Sequence, residues 1–374
     1  MYMLIKRGLK NLLGLFMAIT LIVVFYKLNK YPIQLKSTQR ESGTKYILYW
    51  TSFWKFKDYK IGFGAEPFET CEYKNCFATN NRTLKPVEEF EAIIFHASIY
   101  NPKTAGKPDR RNERQVYIYS NIEAPAYLSP NYAQFNSFYN WTMTYRFDSD
   151  IVHRHDKFTE EESNYELPSM KVVHNKTKLI AWFASHCETS SRRERLVAEI
   201  QKFLPVDIYG SCGPLKCEKL KGDTKLSSPE CYDMIEENYK FYLSFENSIC
   251  KDYSTEKLYN ALKKNIVPIV YGAGDYSLSA PPHSVINVND FVSVKELTDY
   301  LKYLDKNANV YLTYFEWKKK YKIVKSSHAC DICKKLNQPL VKSVYHDLRS
   351  WSRGKSDEIC KNGQNFPMIV KNIL

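Results

Sequence analysis

The feature that most constrains this chain is the alternation of short apolar runs with helix-length amphipathic segments between Leu179 and Gly272. Leu179–Phe183 reads as a buried strand, and Ser191–Leu204 as a helix with Leu196, Ile200 and Phe203 as its apolar positions. Val206–Gly210 then reads as a strand ending in a turn, Tyr239–Phe245 as a further strand, Thr255–Lys264 as a helix, and Ile266–Gly272 as the strand that closes the unit. Strands separated by helices imply a mostly parallel sheet, with ligands gathered at the strands' carboxyl ends. Upstream, Tyr46–Trp50, Ala92–Phe95 and Val116–Tyr119 are again short and β-prone, and a polar stretch from Asp156 to Glu166 separates them from the later alternation. The 374 residues leave room for two such units. The expected fold is α/β, with two Rossmann-like lobes facing a cleft: residues 45–160, residues 170–345, and a C-terminal tail over 346–374.

The N-terminus sets the compartment. An uncharged run, NLLGLFMAITLIVVFY, lies between Lys10 and Lys27 and is preceded by Lys6 and Arg7. At about 1.5 Å per residue it spans roughly 24 Å as a helix, short for an average bilayer but suited to the thinner early secretory membranes. Tyr26, Lys27 and Leu28 follow it where a cleaved signal peptide has small residues, so the run reads as an uncleaved anchor. Residues 1–10 are then a cytoplasmic tail, 11–27 a transmembrane signal anchor and 28–44 a polar stem, oriented by the basic N-terminal flank. Three glycosylation sequons begin at Asn81, Asn140 and Asn175, and ten cysteines suit an oxidising lumen. The net charge of +13 suits an anionic partner. For a luminal region, nucleic acid is excluded as that partner.

The densest chemistry lies in Phe241–Ser248 and Lys251–Lys257. An apolar strand ends there in a polar turn, and Ser254 or Thr255 is placed to cap the next helix. A helix start beside a lysine suits a phosphate, because its free N–H groups and dipole favour an anion. No GxGxxG and no P-loop lysine motif occurs, which sets aside the usual dinucleotide and P-loop readings.

These residues carry a family resemblance. The segments YKFYLSFENSICKDYSTEKLYNAL, VPIVYG and APPHSVINVNDF resemble the donor-binding signature of the α1,3-fucosyltransferases, glycosyltransferase family 10. The segment from Phe138 to Asp150, Phe95-His96, Arg193, Tyr209-Gly210, Glu316-Trp317 and Cys330-x-x-Cys333 fit in the family's order, and the Cys212–Cys231 insert is similar to that of invertebrate members. Ile122-Glu123-Ala124-Pro125 stands where the family usually shows Glu-Ser-Pro, and His153-Arg154-His155 stands near a missing Pro-Tyr-Gly.

The resemblance implies a GT-B-type fold and inverting transfer of fucose from GDP-fucose to an N-acetylglucosamine of glycoprotein N-glycans, forming an α1,3 linkage. Glu123 falls on the general base, Arg193 and Lys257 on diphosphate contacts, and Tyr253, Glu256 and Asn247 on the donor pocket. No cofactor or metal ligand is implied, and a divalent cation is at most stimulatory. The location implied is the Golgi membrane, single-pass type II, with the catalytic region luminal and one helix in the membrane. The core and the antennae of the N-glycan both stay open as acceptors. A catalytically silent Golgi lectin or scaffold is the alternative, and the intact Glu123, Arg193, Glu256 and Lys257 argue against it. The resemblance also implies disulfides from Cys71 to Cys330 and from Cys76 to Cys333; Cys187, Cys212, Cys217, Cys231, Cys250 and Cys360 then pair among themselves in no fixed order. His96, His153, His155 and His174 read as satisfied or exposed side chains.

Overall fold

The computed structural model describes residues 43–127, 132–217, 228–326, 328–339 and 343–361. The cytoplasmic tail, the anchor and nearly all of the stem expected over 1–44 lie outside them. No helix among the described residues is long and apolar enough to cross a membrane.

The first lobe is built on six strands, β1 (Lys45–Tyr49), β2 (Cys76–Thr79), β3 (Ala92–His96), β4 (Val116–Asn121), β5 (Trp141–Thr144) and β6 (Ile151–Val152). They lie parallel in the order β2-β1-β3-β4-β5-β6. Every residue of β3 and β4 is buried, as expected of strands covered on both faces. Because side chains alternate along a strand, Ile47, Tyr49, Ile94 and Ile118 enter one core, while Leu48, Ile93, Phe95 and Tyr119 enter the core on the opposite face. Next comes β7 (Asp156–Glu160), which stands outside this sheet.

The second lobe continues with β8 (Lys178–Phe183), helix α1 (Arg193–Gln201), β9 (Val206–Tyr209), helix α2 (Pro229–Asn238), β10 (Tyr239–Phe245), the two-residue β11 (Ile249–Cys250), helix α3 (Glu256–Leu262), β12 (Val267–Tyr271), β13 (Ile286–Asn287) and helix α4 (Val294–Lys306). Its sheet is parallel in the order β13-β12-β10-β8-β9. Leu196 and Ile200 of α1 and Leu297, Leu301 and Leu304 of α4 recur at helical spacing and pack into one core with Trp182, Phe241 and Ile269.

The chain then returns to the first lobe. β14 (Tyr321–Lys325) pairs antiparallel with β7 along all five residues. This pairing places a strand in the polar stretch expected to be a bare boundary; the alternation in Asp156–Glu160 is polar because the ribbon is largely solvated. Helix α5 (His328–Asn337) puts Ala329, Ile332, Cys333 and Leu336 into the first lobe's core, and Leu348 of helix α6 (Leu348–Arg353) enters the core on its other face. The boundary expected at residue 345 therefore differs from the packing, since 328–337 belongs with the first lobe. An amphipathic helix shows in sequence that one face must be covered, not which lobe covers it.

All ten cysteines are bonded: Cys71–Cys330, Cys76–Cys333, Cys187–Cys212, Cys217–Cys231 and Cys250–Cys360. The first two hold α5 on the first lobe. The last ties β11 to β15 (Cys360–Lys361), which pairs with it antiparallel.

Candidate active site

In the second sheet the winding reverses between β8 and β10, and in an open α/β sheet that reversal opens a crevice at the carboxyl ends of the strands. The residues just beyond those ends, Ser185 and His186 after β8 and Asn247 after β10, line a cleft of about 380 Å³. Glu123, two residues beyond β4 of the first lobe, lines the same cleft from the other side. So do Arg193, Tyr253, Glu256 and Lys257, so the one cleft holds all six residues that the sequence singled out for catalysis and donor binding.

The cationic wall is made of two unlike groups. Arg193 opens α1 after Arg192, which holds the left-handed conformation at φ 54°, a backbone geometry uncommon for a residue with a side chain. Arg193 as a whole is 2 % exposed, and its guanidinium donates to the backbone carbonyls of Phe245 (2.7 Å) and His186 (3.3 Å), while Nε has no partner. Among the described residues it has no carboxylate within ion-pair distance, so its charge stands uncompensated; burial pulls its pKa down, with the Glu246 charge opposing. Lys257, by contrast, sits between two carboxylates, 3.2 Å from Glu246 and 3.4 Å from Glu256. Burial works against its charge, but Glu246 and Glu256 outweigh burial and raise its pKa.

The start of α3 differs from the expectation that it offers free N–H groups to a phosphate. Glu246, buried at the end of β10, accepts from the Thr255 backbone N–H (2.8 Å) and hydroxyl (2.9 Å). The protein's own carboxylate thus occupies the positive end of the helix. The sequence did not single out Glu246, which follows the buried strand YKFYLSF and whose role depends on the groups that face it.

The acidic side is graded. Glu123 accepts from the Tyr253 hydroxyl at 3.5 Å, and its backbone N–H donates to Asn121 Oδ1 at 3.2 Å. Burial raises its pKa against the pull of Lys257, and the Glu256 and Glu246 charges push it the same way as burial. Burial also acts to raise Glu256, but Lys257 and His155 win and hold it at about 2. His155 Nε2 lies 3.6 Å from Glu256. The sequence read His155 as unremarkable, and nothing in its polar context pointed to the cleft. Asn247 contributes an unpartnered Oδ1, while its carbonyl accepts from Ser191 N–H at 3.1 Å. The arrangement pairs a carboxylate of raised pKa with an uncompensated guanidinium across one recess, which suits a proton acceptor facing a departing anion.

Among the other expected residues, Asn81 and Asn175 are exposed, whereas the half-buried Asn140 donates from Nδ2 to the Ser343 carbonyl at 2.9 Å and accepts from Tyr117 N–H at 2.9 Å. His96 is neither exposed nor satisfied: both ring nitrogens are buried without partners against Phe53 and Trp54, and burial lowers its pKa to about 4.

Residues 42–156 match the family described as fucosyltransferase, N-terminal, and residues 173–351 match glycosyltransferase family 10 (fucosyltransferase), C-terminal. The chain is 36 % identical to alpha-(1,3)-fucosyltransferase C of Drosophila melanogaster, over 91 % of this chain and 88 % of that protein. It is also 36 % identical to glycoprotein 3-alpha-L-fucosyltransferase A of the same organism, over 79 % of this chain and 58 % of that protein. A crystal structure of an alpha1,3-fucosyltransferase with GDP shares the fold at a TM-score of 0.50 and 18 % identity, covering 84 % of this chain and 96 % of that one.

Proposed function

The chain belongs to glycosyltransferase family 10, the fucosyltransferases, and from that membership and the cleft we propose that it moves fucose from GDP-fucose to an N-acetylglucosamine of glycoprotein N-glycans, forming an α1,3 linkage with inversion. The observation that carries the reading is the single cleft in which the Glu123 carboxylate faces Arg193 and Lys257, with the Tyr253 hydroxyl on Glu123.

Inversion needs one displacement, so the acceptor hydroxyl must lose its proton as it attacks the anomeric carbon. Glu123 takes that proton, and its raised pKa makes it a stronger base than an ordinary carboxylate. The bond to the diphosphate breaks on the opposite face, where charge develops on GDP. Arg193 meets that charge with a guanidinium that makes no ion pair among the described residues, and Lys257 meets it while held in place by Glu246 and Glu256. Tyr253, Asn247 and Glu256 shape the pocket around the nucleotide and the sugar. The region acts in the Golgi lumen, behind a single type II anchor, and the reaction requires no metal.

Release of GDP from GDP-fucose in the presence of a panel of N-glycan core and antennal acceptors, with product linkage read by mass spectrometry, tests this. The expected result is acceptor-dependent GDP release and an α1,3-fucosylated N-acetylglucosamine. Turnover with no acceptor dependence, or another linkage, overturns it.

A further inference from the structure

We propose that the segment from Leu348 to Cys360, closed by the Cys250–Cys360 bond, is a positioning element that holds the Glu123 carboxylate against the Tyr253 hydroxyl across the two lobes. The inference rests on the fucosyl-transfer reading for what that pair does, and on its own contacts for how the pair is held.

The pair joins loops of different lobes. Glu123 follows β4 of the first lobe, Tyr253 follows β11 of the second, and hydroxyl and carboxylate stand 3.5 Å apart. Such a contact keeps its geometry only as well as the two loops are tied to each other. The sequence suggested no more than a tail for residues 346–374, yet the described part of it grips both loops.

On the second-lobe side, Cys250 opens a tight turn. The Tyr253 N–H donates to the Cys250 carbonyl at 3.1 Å, and Asp252 between them holds φ 61°, a geometry uncommon for a residue with a side chain. The bond to Cys360 and the Lys251 N–H, which donates to the Ile359 carbonyl at 2.8 Å, fix the start of that turn. Tyr253 at its end is buried, edge-on to Tyr145 of the first lobe with ring centroids 4.9 Å apart.

On the first-lobe side, Arg353 Nη1 donates at 3.0 Å to the carbonyl of Pro125, two residues beyond Glu123. Ala124, the neighbour of Glu123, is buried in a small cluster with Tyr145, Cys250 and Tyr253, and Cys360 packs against that cluster. Arg353 is itself held, its Nε 2.8 Å from Asp357 and its carbonyl accepting from the Ile359 N–H at 3.0 Å. Leu348 roots the segment in the first lobe's core.

One segment thus fixes the backbone on both sides of the pair, and the disulfide, closing 110 residues, makes the hold covalent. The turn's other ties to the first lobe, Phe147 N–H to Asp252 at 3.2 Å and Lys251 to Asp148 at 3.0 Å, reach the chain after β5 and not the Glu123 loop. A base displaced by a fraction of an ångström loses rate while the donor still binds.

The test removes the bond in the full chain and reads binding and turnover separately. In the Cys250→Ala, Cys360→Ala double variant, kcat is expected to fall about tenfold or more. GDP affinity stays within about twofold, because Lys257 is held by Glu246, and Arg193 by the Phe245 and His186 carbonyls. Arg353→Gln keeps the disulfide, so it still reports if the double variant fails to fold; it lowers kcat about threefold, again without loss of GDP affinity. In a Tyr253→Phe background the cysteine changes cost about threefold or less, since the hydroxyl they position is gone. An active parent whose kcat survives in both variants overturns the proposal and leaves fucosyl transfer standing. A loss that is undiminished in the Tyr253→Phe background, or matched by a loss of GDP affinity, also overturns it, because it marks the bond as general bracing. Hydrogen exchange gives a readout without turnover: loss of the bond is expected to speed exchange across residues 122–127 about tenfold, with β8 and β10 unchanged. A parent silent toward every acceptor sinks the transfer reading; faster exchange at 122–127 then retains the segment's hold on Glu123, and unchanged exchange removes that too.

Discussion

The two lobes share one winding and present opposite chemistry at the same topological place. Each sheet reverses between its first and third strands, β1 and β3 in one lobe and β8 and β10 in the other. Beyond β8 and β10 the chain places polar and charged groups, with Arg193 donating to the Phe245 carbonyl and Ser191 donating to the carbonyls of Glu246 and Asn247. At the ends of β1 and β3 it places Phe53 and a buried His96 whose ring nitrogens have no partner, with ring centroids 4.7 Å apart. The first lobe's carboxylate in the cleft comes instead from just beyond β4, at Glu123. The shared winding decides where a crevice opens; the loops that follow the strands decide what it binds.

The sharpest way to break this division of labour is Glu123→Gln. It is expected to lower kcat about 10²–10⁴-fold while leaving GDP affinity near its original value, because a base acts in the transition state and not on the donor's ground state. Single-turnover kinetics beside calorimetry separates the two. Equal losses in binding and turnover would place Glu123 in the donor half and erase the contrast. In the active enzyme, kcat/KM is expected to fall as pH drops through a value above the ordinary carboxylate range, since Glu123 must be ionised and its pKa is raised.

The lobes also differ in how they are braced. The first lobe's disulfides span 259 and 257 residues, the second lobe's 25 and 14. The chain-entropy model gives more stabilisation to longer closures, above roughly 4.7 kcal/mol for loops beyond 100 residues before strain is subtracted. Replacing Cys71 and Cys330 together by serine is therefore expected to cost about 2–5 kcal/mol, more than replacing Cys187 and Cys212. Urea melts of the two variants decide the order, and a larger loss from the Cys187–Cys212 pair would reverse the argument.

The second lobe was the more legible in sequence. The six elements that periodicity singles out there stand within about three residues of their expected bounds, because both strand faces and the inner helix faces are apolar, whereas α2, β13 and α4 were not singled out. The first lobe's α5 was not singled out as a helix, and its attachment rests on contacts some 260 residues apart, which no local pattern encodes. The residues proposed for the donor pocket were singled out through the family's motifs, and they line one cleft. Glu246 and His155 were not, because their roles depend on what faces them: Thr255 and Lys257 for one, Glu256 for the other.

Arg193 and Lys257 sharpen the comparison within the cationic wall. Each alanine variant is expected to weaken GDP binding about tenfold or more, as the loss of one charge-assisted contact does. The two should differ in kind. Arg193→Ala removes a charge that makes no ion pair among the described residues, so the ligand-free protein loses no salt bridge. Lys257→Ala leaves Glu246 and Glu256 facing each other and the incoming diphosphate, so it should also lower the melting temperature of the ligand-free protein. GDP titrations paired with thermal melts check this, and unchanged GDP affinity in both variants would remove them from the donor site.

The smallest expected effect concerns Glu256 and acid stability. Its pKa in the folded chain, about 2, lies below the ordinary glutamate value, held there by Lys257 and His155 over the opposing effect of burial. A depressed carboxylate contributes stability that is fully present above its unfolded pKa and is lost as pH falls through the folded one. The window is therefore roughly pH 4.5 down to 2. The side chain is 38 % exposed, so solvent screening reduces the contribution to about 1 kcal/mol or less. Glu256→Gln should flatten the fall in melting temperature across that window by a small amount, while leaving the curve above pH 5 parallel to the parent's. A variant that instead steepened the acid limb would show that Glu256 is protonated in the folded chain, and that Lys257 is held by Glu246 alone.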